Sequence, residues 1–167
     1  MSVENCETAL RTTAGELRSI LDPLGFRFYF DQAGQGHQPF ASGYFVRDEV
    51  RIGLIYRVNS KLGAVVYENN TTSVLHDNLM SSLGFAAEQH LRYDDTAFQS
   101  VAVDGGSAVE ALCADLRTLS PILRNQKTLS LAITEARHEA ESIANKSAAA
   151  KKAKLEAWLR RRSSPKA

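Results

Sequence analysis

Cysteine and proline are scarce in this chain, at two and four in 167 residues. Cys6 and Cys113 are too few for a disulfide framework and read as free thiols in a reducing compartment. No stretch approaches the roughly 20 consecutive apolar residues that span a bilayer. The first residues, Met1 to Thr13, lack a basic region followed by an apolar run, so no secretory signal is expected and the predicted location is cytoplasmic. Metal-ligand spacings are missing as well. His37, His76, His90 and His138 are scattered, with no HExxH and no paired CxxC. Neither a metal nor a cofactor is expected, and no internal repeat is visible.

What is present suits one domain with an appendage. The hydrophobic share of 44% and the charged share of 23% are ordinary for a globular protein, and a body of this size builds a core without a metal or disulfide. The net charge of +1 conceals a division. From Lys146 onward there are eight basic residues and one acid, Glu156, so that segment carries about +7 and the preceding body about −6. Such asymmetry predicts an appendage that meets something the body does not.

Apolar spacing predicts a helix over about 4–21, with Leu10, Ala14, Leu17, Ile20 and Leu21 on one face. Asp22-Pro23 ends it, since the residue before proline is pushed out of the α region. Phe26, Phe28 and Phe30 then alternate with Arg27 and Tyr29, a strand with one buried face, and 31–39 reads as a loop. An antiparallel meander follows at about 40–47, 50–58 and 63–68. With Asp48-Glu49 as its turn, Arg47 lies opposite Val50 and Phe45 opposite Ile52. One face then carries Phe45, Val50, Ile52, Leu54 and Tyr56 and is core. The other carries Phe40, Tyr44, Val46, Arg51, Ile55 and Arg57. Asp-Glu is not a favoured tight-turn pair, and a slip of one residue exchanges the faces.

A second helix is expected from a cap at Asn70 or Thr71 to Gly84 at its C′ position. Residues 86–97 show no clear period. A strand over 98–103 and a helix capped by Ser107 follow, Val109, Leu112, Cys113 and Leu116 supplying its apolar face. Ser120-Pro121 reads as the start of one long helix reaching about Arg162, its first half docked and its alanine-rich remainder projecting. The fold class is therefore α+β: an N-terminal helix, an antiparallel sheet of about five strands, helices packed on it, and a long basic C-terminal helix. The domain reading is 1–120 for the globular part and 121–167 for the helix with its basic tail. That element order is similar to small bacterial chaperone and immunity-type proteins, an analogy of order with no residue motif behind it.

Four features bear on function. His76, on the side of Met80 and Leu83, suits either a general base or a histidine at the rim of the core; no nucleophile is placed near it by spacing, although Arg57 and Tyr67 are conceivable neighbours. Of the glycine clusters, 33–37 lacks the nucleotide-binding pattern, whereas 103–107 runs strand, turn, helix and offers free amides to an anion. Phe40, Tyr44, Arg51 and Arg57 combine the residue types that protein interfaces favour and that single-stranded nucleic-acid platforms also use. In the tail, Leu155, Trp158 and Leu159 share one side of a helix among Lys151, Lys152, Lys154, Arg160, Arg161 and Arg162. This suits a partner's groove, phosphates or an anionic membrane.

The reading that follows is a non-enzymatic protein-binding module of chaperone, immunity or regulatory-adaptor type, with no catalytic residue assigned. Its partner would be another protein, held by Phe40, Tyr44, Arg51, Arg57, Leu155, Trp158 and Leu159. The alternatives are nucleic-acid association through the tail and a small enzyme around His76. A homodimer through the long helix is also compatible, although a sustained heptad is missing.

Overall fold

The computed structural model describes residues 2–57 and 60–163. Helix α1 (Val3–Leu21) starts at Ser2, whose hydroxyl accepts from the Asn5 amide, and buries Cys6, Leu10, Thr13, Ala14, Leu17 and Leu21 on one stripe. A 3₁₀ turn over Asp22–Leu24 and Gly25 at φ +89° swing the chain into the sheet, the positive φ being one that glycine adopts without a Cβ penalty.

The main sheet runs β1 (Arg27–Gly34), β2 (Phe40–Arg47), β3 (Val50–Arg57), β5 (Val66–Glu68) and β6 (Ser73–Leu75), with two-residue β4 (Lys61–Leu62) also on β3. All pairings are antiparallel. Arg47 pairs with Val50 and Phe45 with Ile52, the expected register. The turn tolerates Asp-Glu because Asp48 takes φ +50°, a left-handed conformation open to aspartate. Phe45, Val50, Ile52, Leu54 and Tyr56 are buried beneath α1. Gly43 is needed on this inner face, since a Cβ there would stand 2.7 Å from the Phe28 ring and 2.9 Å from the Tyr29 carbonyl oxygen.

Three boundaries in this half differ from the sequence reading. β1 continues through Asp31 to Gly34, past the expected loop start, with a bulge between Phe30 and Gln32. Of the strand expected over 63–68 only Val66–Glu68 forms, and a separate piece, Lys61–Leu62, precedes it; Tyr56 faces Leu62 whereas Gly53 faces Val66, an offset of one residue that is a bulge. Asn70 and Thr71 do not cap a helix. Asn69 Oδ1 accepts from the Thr71 and Thr72 amides and folds this segment into the β5–β6 hairpin, so α2 (His76–Ser82) begins five residues later than Thr71. Its C-terminus matches expectation: Gly84 has φ +81° and the Phe85 amide reaches the Met80 carbonyl.

β7 (Leu91–Asp94) lies in the stretch without a period and forms a separate hairpin with β8 (Gln99–Ala102), which falls within the strand expected over 98–103. Helix α3 (Ala108–Leu123) starts at Ser107, which accepts from the Glu110 amide. Pro121 lies inside the last turn of α3 and starts nothing, because buried Leu119 and Leu123 hold that turn on the core beyond the proline. The break comes at Arg124-Asn125. There Asn125 accepts from the Thr128 amide and opens α4 (Gln126–Ser163). Leu129, Ala132, Ile133 and Ala136 dock α4 against α2 and β6, while every residue from Glu141 to Arg162 is exposed. No helix of the described residues is long and apolar enough to cross a membrane.

Candidate functional site

Side chains alternate across a strand, so the pairing that buries Phe45 and Ile52 turns Tyr29, Tyr44, Val46, Arg51, Ile55 and Arg57 to the other side. That outer face is open over β1 to β3. Tyr29 is 55% exposed, Arg51 and Arg57 are exposed, and Phe40, Tyr44 and Ile55 are half-buried. Among the described residues neither α4 nor β7 seals it: α4 packs chiefly on α2, with smaller contacts to β6, α3, β3 and β5, β7 lies against α2 and α3, and the outer side chains keep their exposure.

Two clusters organise this face. Tyr29 and Tyr44 are cross-strand partners with ring centroids 6.3 Å apart, and the Arg51 guanidinium lies 4.8 Å from the Tyr44 centroid. Cation–π stacking of this kind holds a long side chain in one conformation, which lowers the entropy lost when a partner seats on it. Toward the other end, Phe40, Ile55 and Arg57 line a groove of about 380 Å³ together with Gln32, Ser42 and His37. The glycines of the 33–37 cluster serve this groove. A Cβ at Gly34 would come within 3.0 Å of the Phe40 ring, so the glycine leaves the ring its place. Phe40 and Ile55 supply apolar surface and Arg57 a cation, chemistry that suits an apolar side chain flanked by a carboxylate.

The tail residues form a second, separate set. Leu155, Trp158 and Leu159 are 57%, 48% and 51% exposed on α4, and the Arg162 guanidinium stacks 4.5 Å from the Trp158 ring. Lys151, Lys152, Lys154, Arg160, Arg161 and Arg162 are exposed around them. The sheet-face residues and the tail residues thus occupy different parts of the surface.

His76 lies elsewhere again. It is 3% exposed, with Nδ1 3.0 Å from the Tyr67 hydroxyl and Nε2 2.9 Å from Asp115 Oδ2. A carboxylate only accepts, so the Nε2–H donates to Asp115, while Nδ1 shares a hydrogen bond with the Tyr67 hydroxyl. Asp115 is fully buried and also accepts from the His90 and Leu91 amides and from His90 Nδ1. Burial alone would raise its pKa. The hydrogen bonds from His76 and the two amides outweigh that and hold the carboxyl below its ordinary value. Burial, followed by the Asp115 charge, raises the Tyr67 phenol far above its ordinary value. These groups tie β5, α2, α3 and β7 together. Of the two conceivable neighbours, Tyr67 touches His76, and Arg57 is instead on the outer face. Asp115 escaped the sequence reading, although an acid between Leu112, Leu116 and Leu119 on an apolar helix stripe was the available signal.

At the 103–107 loop, Gly105 has φ +80°, the Gly106 amide donates to Asp104 Oδ1 at 2.8 Å, and Ser107 caps α3. Turn and cap account for both glycines. Among the described residues, no three His, Cys, Asp or Glu side chains group as a metal site requires. Comparison with protein-family models, with curated proteins and with solved structures finds no match to this chain.

Proposed function

We propose that this chain is a non-enzymatic protein-binding module, of chaperone, immunity or regulatory-adaptor type, whose partner seats on the outer face of β1 to β3. The observation that carries the reading is the open, pre-stacked row of Tyr29, Tyr44 and Arg51 beside the Phe40–Ile55–Arg57 groove. Tyrosine and arginine anchors that are already ordered dominate protein interfaces. The exposed Leu155, Trp158 and Leu159 of α4 supply a second contact to the same partner or to another one. The test is affinity capture with the wild type and with the double variant Tyr44→Ala, Arg57→Ala. Each anchor is worth about 2 kcal/mol, so the double variant loses its partner while remaining folded. Recovery of no partner by the wild type, or equal recovery by both proteins, refutes the reading.

A second reading attaches to α4, where seven of the eight basic residues after Ile143 are exposed on helical turns with one acid among them. Such a rod attracts polyphosphate backbones, and that binding weakens steeply with salt. A mobility-shift titration of DNA and RNA at low and high salt decides it; no shift at low salt removes this alternative. The His76 reading is not carried further, because the imidazole is buried and both ring nitrogens are engaged in the core.

A further inference from the structure

We propose that the free edge of β1 pairs antiparallel with the same edge of a second copy, through residues 27–31 and with the two-fold axis at Tyr29. Among the described residues β1 is the terminal strand of the main sheet and pairs with β2 alone. Its opposite edge therefore offers unpaired N–H and C=O groups along a segment of eight residues. The other end of the sheet is short and flanked: β6 has three residues, and Arg137 of α4 donates to the Ser73 carbonyl there.

Natural proteins guard such edges with charged side chains, lysine above all, which repel when like meets like. Here the charges are of opposite sign and symmetric. Arg27 lies two residues before Tyr29 and Asp31 two residues after it. In an antiparallel pair centred on Tyr29, each Arg27 falls opposite Asp31 of the second copy, twice over. Both are exposed, and neither has an ion-pair partner among the described residues. Arg27 donates to the Asp22 and Phe26 carbonyls, and Asp31 accepts from Ser42. The Ser42 contact places Asp31 on the outer face, as Tyr29 and Arg27 are.

The inner side is equally self-matching. Phe28 and Phe30 are half-buried, Phe28 packs 5.2 Å from Phe45, and Arg11 of α1 stacks 4.6 Å from the Phe30 ring. The same axis sets Phe28 opposite Phe30 of the second copy, so two half-exposed rings from each copy cover one another. The bulge at Asp31 bends the strand there and ends the pairing at that residue. An isologous contact of this kind closes as a dimer rather than a fibre. It would join the two outer faces into one, with both Tyr29–Tyr44–Arg51 rows side by side. The inference goes beyond the partner-binding reading. A monomer that still captures its partner overturns the dimer alone, and a dimer that captures nothing overturns the partner alone.

Sedimentation velocity on the full chain across a concentration series tests it. The wild type dimerises reversibly. Arg27→Asp and Asp31→Arg each set like charges opposite one another and weaken the dimer about tenfold or more, while the double swap Arg27→Asp, Asp31→Arg restores it. The restoration doubles as the control for folding. A wild type that is monomeric throughout overturns the proposal. So do single and swapped variants that behave alike, or a dimer lost through Ile143→Glu in α4 and indifferent to Arg27→Asp.

Discussion

Along β3, Ile52, Leu54 and Tyr56 are buried, while their neighbours Arg51, Ile55 and Arg57 look outward with Tyr44 and Tyr29 from the next strands. The inner set is apolar and sealed under α1. The outer set is aromatic and cationic, stacked on itself and left open. Identical backbone and identical hydrogen bonding support both, so the difference lies wholly in what each face has to meet. The inner residues meet this chain, and their cost of removal is stability. Tyr29, Tyr44 and Arg51 are held by one another, and removing outer residues costs little stability; on the proposed reading it costs binding.

The buried polar centre behind the inner face sets the upper end of the scale. Asp115→Ala leaves His76 and the His90 and Leu91 amides without their acceptor and lowers stability by about 3–5 kcal/mol in denaturant unfolding. Because the native pKa of Asp115 lies below the ordinary 3.8, the unfolded chain takes up the proton first as pH falls. Its contribution is complete above that value and is lost as pH drops through the lower native one. Asp115→Asn flattens this part of the acid-unfolding curve, and an unchanged profile would remove Asp115 from its assigned role.

Next comes the pair of isoleucines three residues apart on β3. Ile52→Ala costs about 2–5 kcal/mol by opening a cavity, and Ile55→Ala costs much less, both read as unfolding midpoints. Equal costs would erase the distinction between the faces. The same contrast runs along α4. Ile133→Ala, at a docked position, costs about 2–4 kcal/mol, and Ile143→Ala, which is 68% exposed, stays within about 0.5 kcal/mol. Smallest in stability is Tyr44→Ala with Arg57→Ala, which shifts unfolding by no more than about 1 kcal/mol yet abolishes partner capture. If this variant were as destabilised as Ile52→Ala, the outer face would belong to the core.

Legibility followed the range of the forces involved. The β2–β3 register was readable because alternation over eight residues on both strands admits one arrangement with a buried face. α1 and the Gly84 stop were readable from local spacing and capping. The Asn69–Thr72 hairpin was not, since asparagine and threonine before an apolar run fit a helix cap and an Asx turn equally well; Asn69 also anchors to Ser130 and Thr134 of α4, a contact 61 to 65 residues away. Pro121 misled for the same reason, its local preference being overridden by the burial of Leu119 and Leu123. β7 is four residues long and gave too short an alternation to stand out. The outer-face residues were found by pattern, whereas their stacking, the Phe40 groove and the Tyr67–His76–Asp115 chain needed coordinates.

By itself the sequence determined which faces are apolar and where charge accumulates, because periodicity and composition are properties of neighbouring residues. Only the tertiary structure decided that the aromatic-arginine face stays open, that His76 is consumed by the core, and that β1 ends the sheet with its edge unpaired. Those outcomes depend on which distant element comes to lie against which, and burial is settled by packing between segments rather than within them.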